Sequence, residues 1–252
     1  MDRRGSIGIF DSGIGGVTVL KEILKLMPNE KYIYYSDSIN NPYGDREDKE
    51  IINICDNITK NLINKNCKVI VIACNTASAK AVDFLRNKYN NIPFIAIEPA
   101  YKMVHDFAED KETLVMATKG TIESEKFNLL LKKYDNHKTY LLSCVGLADI
   151  IEEGNKEKIK EYLKTNLNEY KGKIQNVVLG CTHYPLIIDE IKNVLGNVTF
   201  FNGAPNLAKH LKDVLEEMNL LNKCEQEIEF IDSSNLKEKE DRFFSILKSN
   251  NI

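Results

Sequence analysis

Tryptophan is missing from this 252-residue chain, and so is any apolar run approaching the ~18 residues needed to span a bilayer. No membrane association is therefore expected. Basic charge has no surplus: 34 Lys and Arg stand against 37 Asp and Glu, for a net charge of -3. The acidic residues are interleaved with the lysines, which excludes a dominant nucleic-acid-binding role and describes a solvated mixed surface. The opening stretch Met1-Asp2-Arg3-Arg4-Gly5-Ser6 carries two arginines but not the long apolar segment of a secretory signal, so the expected location is the cytoplasm. Six cysteines stand at 55, 67, 74, 144, 181 and 224 without one CxxC pair. That spacing builds neither a zinc knuckle nor a disulfide framework, and a cytosolic setting keeps thiols reduced. No metal-ligand cluster, Walker A sequence or pyridoxal-type lysine motif is present, so neither metal nor cofactor is expected.

Short β-branched runs alternate with amphipathic stretches from end to end. Strands are expected at 7–10, 32–35, 69–73, 94–97, 114–117, 139–142, 177–179, 198–201 and 228–231, from apolar runs too short for helices. Helices are expected at 17–26, 48–63, 78–89, 101–108, 123–134, 156–170, 186–195 and 204–218, and the charged run 237–242 reads as an exposed helix face. This alternation predicts the α/β class with parallel sheets covered by helices. Nine strands suit two moderate sheets better than one, and Pro93 and Pro99 bracket a strand at the expected passage between lobes.

One internal echo matters more than the rest. Ile70-Val71-Ile72-Ala73-Cys74-Asn75-Thr76 and Val177-Val178-Leu179-Gly180-Cys181-Thr182-His183 share a plan of buried strand, small residue, cysteine, then amide or hydroxyl side chains. Two related lobes facing each other would present both cysteines to one crevice, because parallel α/β sheets bind ligands beyond the carboxyl ends of their strands. A cysteine between a strand and a helix start sits where backbone N–H groups and the helix dipole favour the thiolate. Thr76 and Thr182 are placed either to cap the following helix or to donate to a bound carboxylate, and the sequence leaves both roles open.

Two cysteines in matched settings are redundant for a hydrolase, which needs one nucleophile and one base. They are what a racemase requires: one group removes an α-proton from one face while the other returns a proton to the opposite face. A free thiol titrates near ~8.5, so it needs help at neutral pH. Asp11, after the first strand, and His183, two residues beyond Cys181, are the candidate helpers. His105, His137 and His210 lie outside any such motif and receive no role. Gly13-Ile14-Gly15-Gly16 lacks the dinucleotide-binding spacing, and a tight turn into the first helix accounts for its glycines.

With these residues assembled, the sequence resembles the glutamate racemase family within the aspartate/glutamate racemase superfamily. The matching segments are Ile7 to Gly16, Asn41-Pro42-Tyr43-Gly44, Ala73 to Ala79, Ile97-Glu98-Pro99-Ala100, Ala117 to Ile122, and Leu179 to Leu186, in family order over nearly the whole chain. Thr182-His183 after the second cysteine also resembles glutamate racemases, whereas aspartate racemases tend to carry Thr-Glu there. The resemblance implies two parallel-sheet α/β lobes related by pseudo-twofold symmetry with the active site between them. Residues 1–97, completed by 208–252, would form the first lobe and residues 98–207 the second. It also implies a homodimer, and interconversion of L- and D-glutamate that supplies D-glutamate for peptidoglycan.

By position, the resemblance makes Cys74 and Cys181 the two proton donors and acceptors, Cys74 serving the D-enantiomer and Cys181 the L-enantiomer. Asp11 and His183 would assist them respectively. Ser12, Pro42, Tyr43, Gly44, Asn75, Thr76, Thr121 and Thr182, with Asp11 and His183, would surround the substrate. Glu152 matches a family glutamate near the site, with Glu153 a close rival in register. Ser36, Val145 and Phe201-Asn202-Gly203 depart from the family pattern, at positions that shape loops rather than the acid/base set. The alternatives are a related amino-acid racemase with a different pocket, or a binding protein on a retired racemase scaffold. Retention of both cysteines, Asp11 and His183 argues against the latter.

Overall fold

The computed structural model describes residues 2–108, 110–135 and 137–249. Its nine strands are β1 (Ser6–Asp11), β2 (Lys31–Ser36), β3 (Cys67–Ile72), β4 (Phe94–Ala96), β5 (Thr113–Ala117), β6 (Thr139–Ser143), β7 (Asn176–Gly180), β8 (Thr199–Asn202) and β9 (Glu227–Asp232). They form two sheets, β4-β3-β1-β2-β9 and β6-β5-β7-β8, and every pairing is parallel. Reversed, the second order becomes β8-β7-β5-β6, which repeats the first four strands of the first sheet place for place. β9 adds an edge beside β2. In each sheet the chain begins in the middle, steps to one side, then crosses to the other. The reversal falls between β1 and β3 in one sheet and between β5 and β7 in the other. Open α/β sheets bind ligands at such switch points.

Side-chain alternation explains why these runs are strands buried on both faces. Ile7, Ile9, Val69, Val71, Tyr32 and Tyr34 enter the core on one face of the first sheet, while Phe10, Ile70, Ile72 and Ile33 enter the core on the other. The second sheet divides likewise: Leu114, Met116, Val177 and Leu179 face one way, and Val115 and Val178 the other. Each such side chain, taken fully out of water, contributes about 1.5–3 kcal/mol.

The helices are α1 (Val17–Leu26), α2 (Asp48–Asn64), α3 (Asn75–Lys88), α4 (Tyr101–Ala108), α5 (Lys119–Ile122), α6 (Glu125–Tyr134), α7 (Leu147–Glu153), α8 (Lys156–Leu167), α9 (Ile188–Leu195), α10 (Ala204–Glu217) and α11 (Lys237–Lys248). After β8 the chain returns to the first sheet: Ala204, Leu207, Leu211 and Leu215 of α10 and Phe243 of α11 join the core that holds Val19, Leu20 and Ile23 of α1.

Three expectations change. The helix expected from residue 78 starts at Asn75, because Cys74 is its N-cap: the Cys74 Sγ accepts from the Ala77 N–H at 3.5 Å. The helix expected over 123–134 starts at Glu125 as α6, capped by Ser124, and an unexpected short helix, α5, capped by Thr118, precedes it. Helix α7 was not expected at all. It is bracketed by Gly146 at φ +75° and Gly154 at φ +70°, left-handed positions that glycine occupies readily. Those two glycines, eight residues apart, were its signal.

Candidate active site

The carboxyl ends of β1 and β3 carry Asp11, Ser12 and Cys74, and the carboxyl ends of β5 and β7 carry Thr118 and Cys181. The two ends face each other. Both cysteines line one cavity, along with Ser12, Asn75, Thr76, Thr118, Thr182 and His183. Pro42, Tyr43 and Gly44 roof it. Its volume is about 20 Å³, and one water needs ~10–15 Å³ on this measure. In this arrangement the space between the walls is smaller than an amino acid. No lysine or arginine lines the cavity among the described residues, so an anion there meets hydroxyls, N–H groups and the His183 imidazole.

Cys74 donates to the Ser12 hydroxyl at 3.8 Å and accepts from Ala77 N–H at the start of α3. Burial, and then the Asp11 carboxylate, push its thiol up to about 12, against the pull of the Ala77 and Ser12 hydrogen bonds. At neutral pH it is a thiol. Asp11 is fully buried and accepts from Gly16 N–H at 2.8 Å, at the N-terminus of α1. Desolvation raises its carboxyl above the usual range despite the opposing charge of His183, and a raised carboxyl is the better proton acceptor.

Cys181 has a different neighbour. His183 Nδ1 lies 3.7 Å from its Sγ, and Nε2 lies 2.7 Å from Glu152 Oε1. Glu152 also accepts from Ile14 N–H at 2.7 Å and from Lys239 at 2.9 Å. Burial raises its carboxyl, but the hydrogen bond and charge of His183 and the charge of Lys239 outweigh this and hold it at about 2. Glu152 is thus a carboxylate, which requires Nε2 to carry hydrogen and leaves Nδ1 to exchange a proton with Cys181. Burial pushes the His183 imidazole towards neutrality, but its bonds to Cys181 and Glu152 prevail and lift it well above the usual imidazole range. Glu153, the rival in register, is exposed and paired with Lys158.

Neither Thr76 nor Thr182 is a helix cap. Thr182 donates to Asp11 at 3.2 Å across the crevice, and Thr18 donates to its carbonyl at 3.1 Å. Thr76 joins Thr118 at 2.8 Å and Thr121 at 3.4 Å, also across the crevice. Thr118 was missed by sequence reading, although it follows a buried strand as both cysteines do. Asn75 is buried and its Oδ1 has no partner, an acceptor left open for a ligand's N–H. Tyr43 donates to Asp37 at 2.6 Å, and Gly120 N–H donates to Gly44 carbonyl across the crevice at 3.0 Å.

The turn after β1 has a reason beyond tightness. A Cβ on Gly15 would lie 2.5 Å from the His183 ring, and one on Gly13 would lie 2.2 Å from Glu152 Oε1. Neither glycine has positive φ, so close approach of the second lobe, rather than turn geometry, demands them.

Two repeated α/β lobes that meet at a small cavity with a thiol on each wall have the arrangement that a two-lobed racemase, an isomerase, requires. The family model for Asp/Glu/hydantoin racemases matches residues 29–211. A glutamate racemase from Clostridium perfringens is 42% identical, covering 99% of this chain and 94% of its own. Among solved structures, a glutamate racemase from Francisella tularensis in complex with D-glutamate aligns with a TM-score of 0.83 and 31% identity, over 98% of this chain and 95% of that one. An isoform of glutamate racemase from Bacillus anthracis aligns with a TM-score of 0.86 and 29% identity, over 98% and 95%. The chain belongs to the Asp/Glu/hydantoin racemase family and groups there with the glutamate racemases.

Proposed function

We propose that this enzyme interconverts L- and D-glutamate by proton transfer between two thiols, without an added cofactor. The observation that carries this reading is the meeting of Cys74 and Cys181 on opposite walls of one cavity, each beyond a strand of equivalent place. Cys181, as thiolate, would take the α-proton of L-glutamate while Cys74, as thiol, gives a proton to the other face. In the reverse direction Asp11 would draw the Cys74 proton and His183 would return one to Cys181. Ser12, Thr76, Thr118, Thr121 and Thr182 are suited to hold the carboxylates, and the open Asn75 Oδ1 to accept from the ammonium. The face assignment rests on the family resemblance.

The same proposal covers the lobe division at 1–97 with 208–252 and 98–207, in keeping with two sheets that share no strand, except that the return to the first lobe falls at Ala204, since Ala204 and Leu207 of α10 pack in the first lobe's core. It extends to a cytoplasmic homodimer that supplies D-glutamate for peptidoglycan. The test is loss of the circular-dichroism signal of L-glutamate, with L-aspartate as comparison, together with deuterium entry at Cα in D2O. Glutamate should racemise to an equal mixture, since enantiomers have equal free energy. Faster racemisation of aspartate would sink the substrate assignment, and undiminished racemisation by Cys181→Ala would sink the mechanism. Light scattering at enzyme concentrations used in assays checks the dimer.

A further inference from the structure

Helix α11 packs on α1 and β9 of the first lobe, yet its polar side reaches helix α7 of the second. Arg242 donates to the carbonyls of Ile151 and Glu152 in the last turn of α7, where Ile151 also accepts from the Gly154 N–H at 3.0 Å. Lys239 goes further in: its Nζ lies 2.9 Å from Glu152 Oε2, and its side chain is only 21% exposed. The buried carboxylate is thereby held from three elements. Oε1 receives Ile14 N–H from the turn after β1 and His183 Nε2 from the turn after β7, and Oε2 receives Lys239 from α11.

We propose that Lys239 is a positioning residue for the Cys181 half of the site, acting through Glu152 and His183; this rests on the two-thiol reading above. With Oε2 engaged, the carboxylate cannot turn away, so Oε1 stays on His183 and Nδ1 stays on Cys181. Without Lys239, Oε2 is buried without its cation, and the carboxylate gains freedom to rotate off the imidazole. The charge balance shifts in the same direction. Facing Glu152 are Asp11 from β1, His183 after β7, Asp149 and Glu153 on α7, and Glu238, Lys239 and Arg242 on α11. Glu153 is taken up by Lys158, and the Arg242 bonds go to backbone carbonyls. Lys239 is therefore the lysine that neutralises the Glu152 carboxylate, and its loss makes the surroundings of a Cys181 thiolate more negative. Cys74, beside Asp11 on the opposite wall, lies outside this chain of contacts.

The experiment compares Lys239→Gln, Lys239→Arg and Lys237→Gln in the full chain. Lys237 lies on the same helix, exposed and paired with Glu240 and Asp241. Alkylation of each cysteine by iodoacetamide at pH 7 is followed by peptide mass spectrometry, since the thiolate is the reacting form. In Lys239→Gln, Cys181 alkylation is expected to slow about three- to tenfold, with Cys74 unchanged within about twofold. The acid limb of kcat/KM should move up by about half to one pH unit. It should move equally in both directions, as the equal free energies of the enantiomers require. Lys239→Arg should restore both readouts, and Lys237→Gln should match the parent. An unmoved pH profile, equal slowing of both cysteines, or no rescue by arginine would overturn the proposal. Racemisation that survives Cys181→Ala would instead overturn the two-thiol reading, a separate result.

Discussion

The carboxyl ends of β3 and β7 occupy the same place in two sheets of the same strand order, and each is followed within two residues by a cysteine. Their surroundings are opposite. Cys74 caps an α-helix and has a buried carboxylate for a neighbour, which with burial keeps it a thiol at about 12. Cys181 leads into a 3-10 turn, Tyr184–Ile187, and has an imidazole 3.7 Å away that is tied to a carboxylate and a lysine. A repeated backbone thus sets where two groups stand, while single side chains set what each can do. One wall is arranged around a buried carboxyl group and the other around an imidazole held by a carboxylate, as the proposed two-way proton transfer requires.

The strongest way to break this comparison is to remove one thiol at a time. Cys74→Ala and Cys181→Ala should each lower racemisation by about 10³-fold or more. Cys74→Ala should still wash deuterium into L-glutamate without inversion, and Cys181→Ala into D-glutamate, as read by mass spectrometry. Exchange of the same enantiomer by both variants would end the assignment of faces. Next in size is Asp11→Asn. Turnover should fall about 10²- to 10³-fold, because Cys74 loses its proton acceptor. Alkylation of Cys74 at pH 8 should meanwhile speed up about tenfold, since a negative charge beside it is gone. Opposite signs in the two readouts separate an acid/base role for Asp11 from a merely structural one.

Gly15→Ala tests the other wall. Its Cβ would meet the buried His183 ring, and displacing the ring by about 1 Å should cost kcat/KM about 10²-fold, with Cys74 alkylation unaffected. The smallest effect is on stability. Glu152 sits at about 2 against an ordinary 4.5, and a depressed carboxyl contributes stability that is present above its unfolded value and lost as pH falls through the folded one. Between pH 7 and pH 3 the parent should therefore lose about 2 kcal/mol that Glu152→Gln does not lose, measured by urea unfolding at the two pH values. His183 is raised, so its contribution is whole below about 6.5 and fades as the pH climbs through its folded value. A parent and variant with parallel acid limbs would show that the Glu152–His183 pair adds nothing to the fold.

Strands were legible because alternating apolar residues must bury two faces, and all nine fall where β-branched runs predicted them. Cys74 and Cys181 were legible because a cysteine after a buried run stands out against a small residue and a polar follower. Residues that act through contact across the crevice were less legible. Thr118 forms hydrogen bonds with Thr76 and Thr121, yet by itself it is one more threonine after a strand. Gly13 and Gly15 looked like turn residues because the side chains that press on them, Glu152 and His183, lie more than 130 positions away in the chain. Lys239 looked like part of a solvated helix face, and its helix neighbour Lys237 is just that.

By itself, the amino-acid order determined the class of fold, the repeat, and the pair of thiols, since each follows from local periodicity or from a motif within a few residues. Only the tertiary structure decided which partner each thiol has and which glutamate faces the site. It also decided that a lysine from the returning C-terminal segment reaches that glutamate. The reason is physical: protonation and hydrogen bonding depend on distances of a few ångströms through a dry interior. Packing of the two lobes fixes those distances, and no local pattern records them.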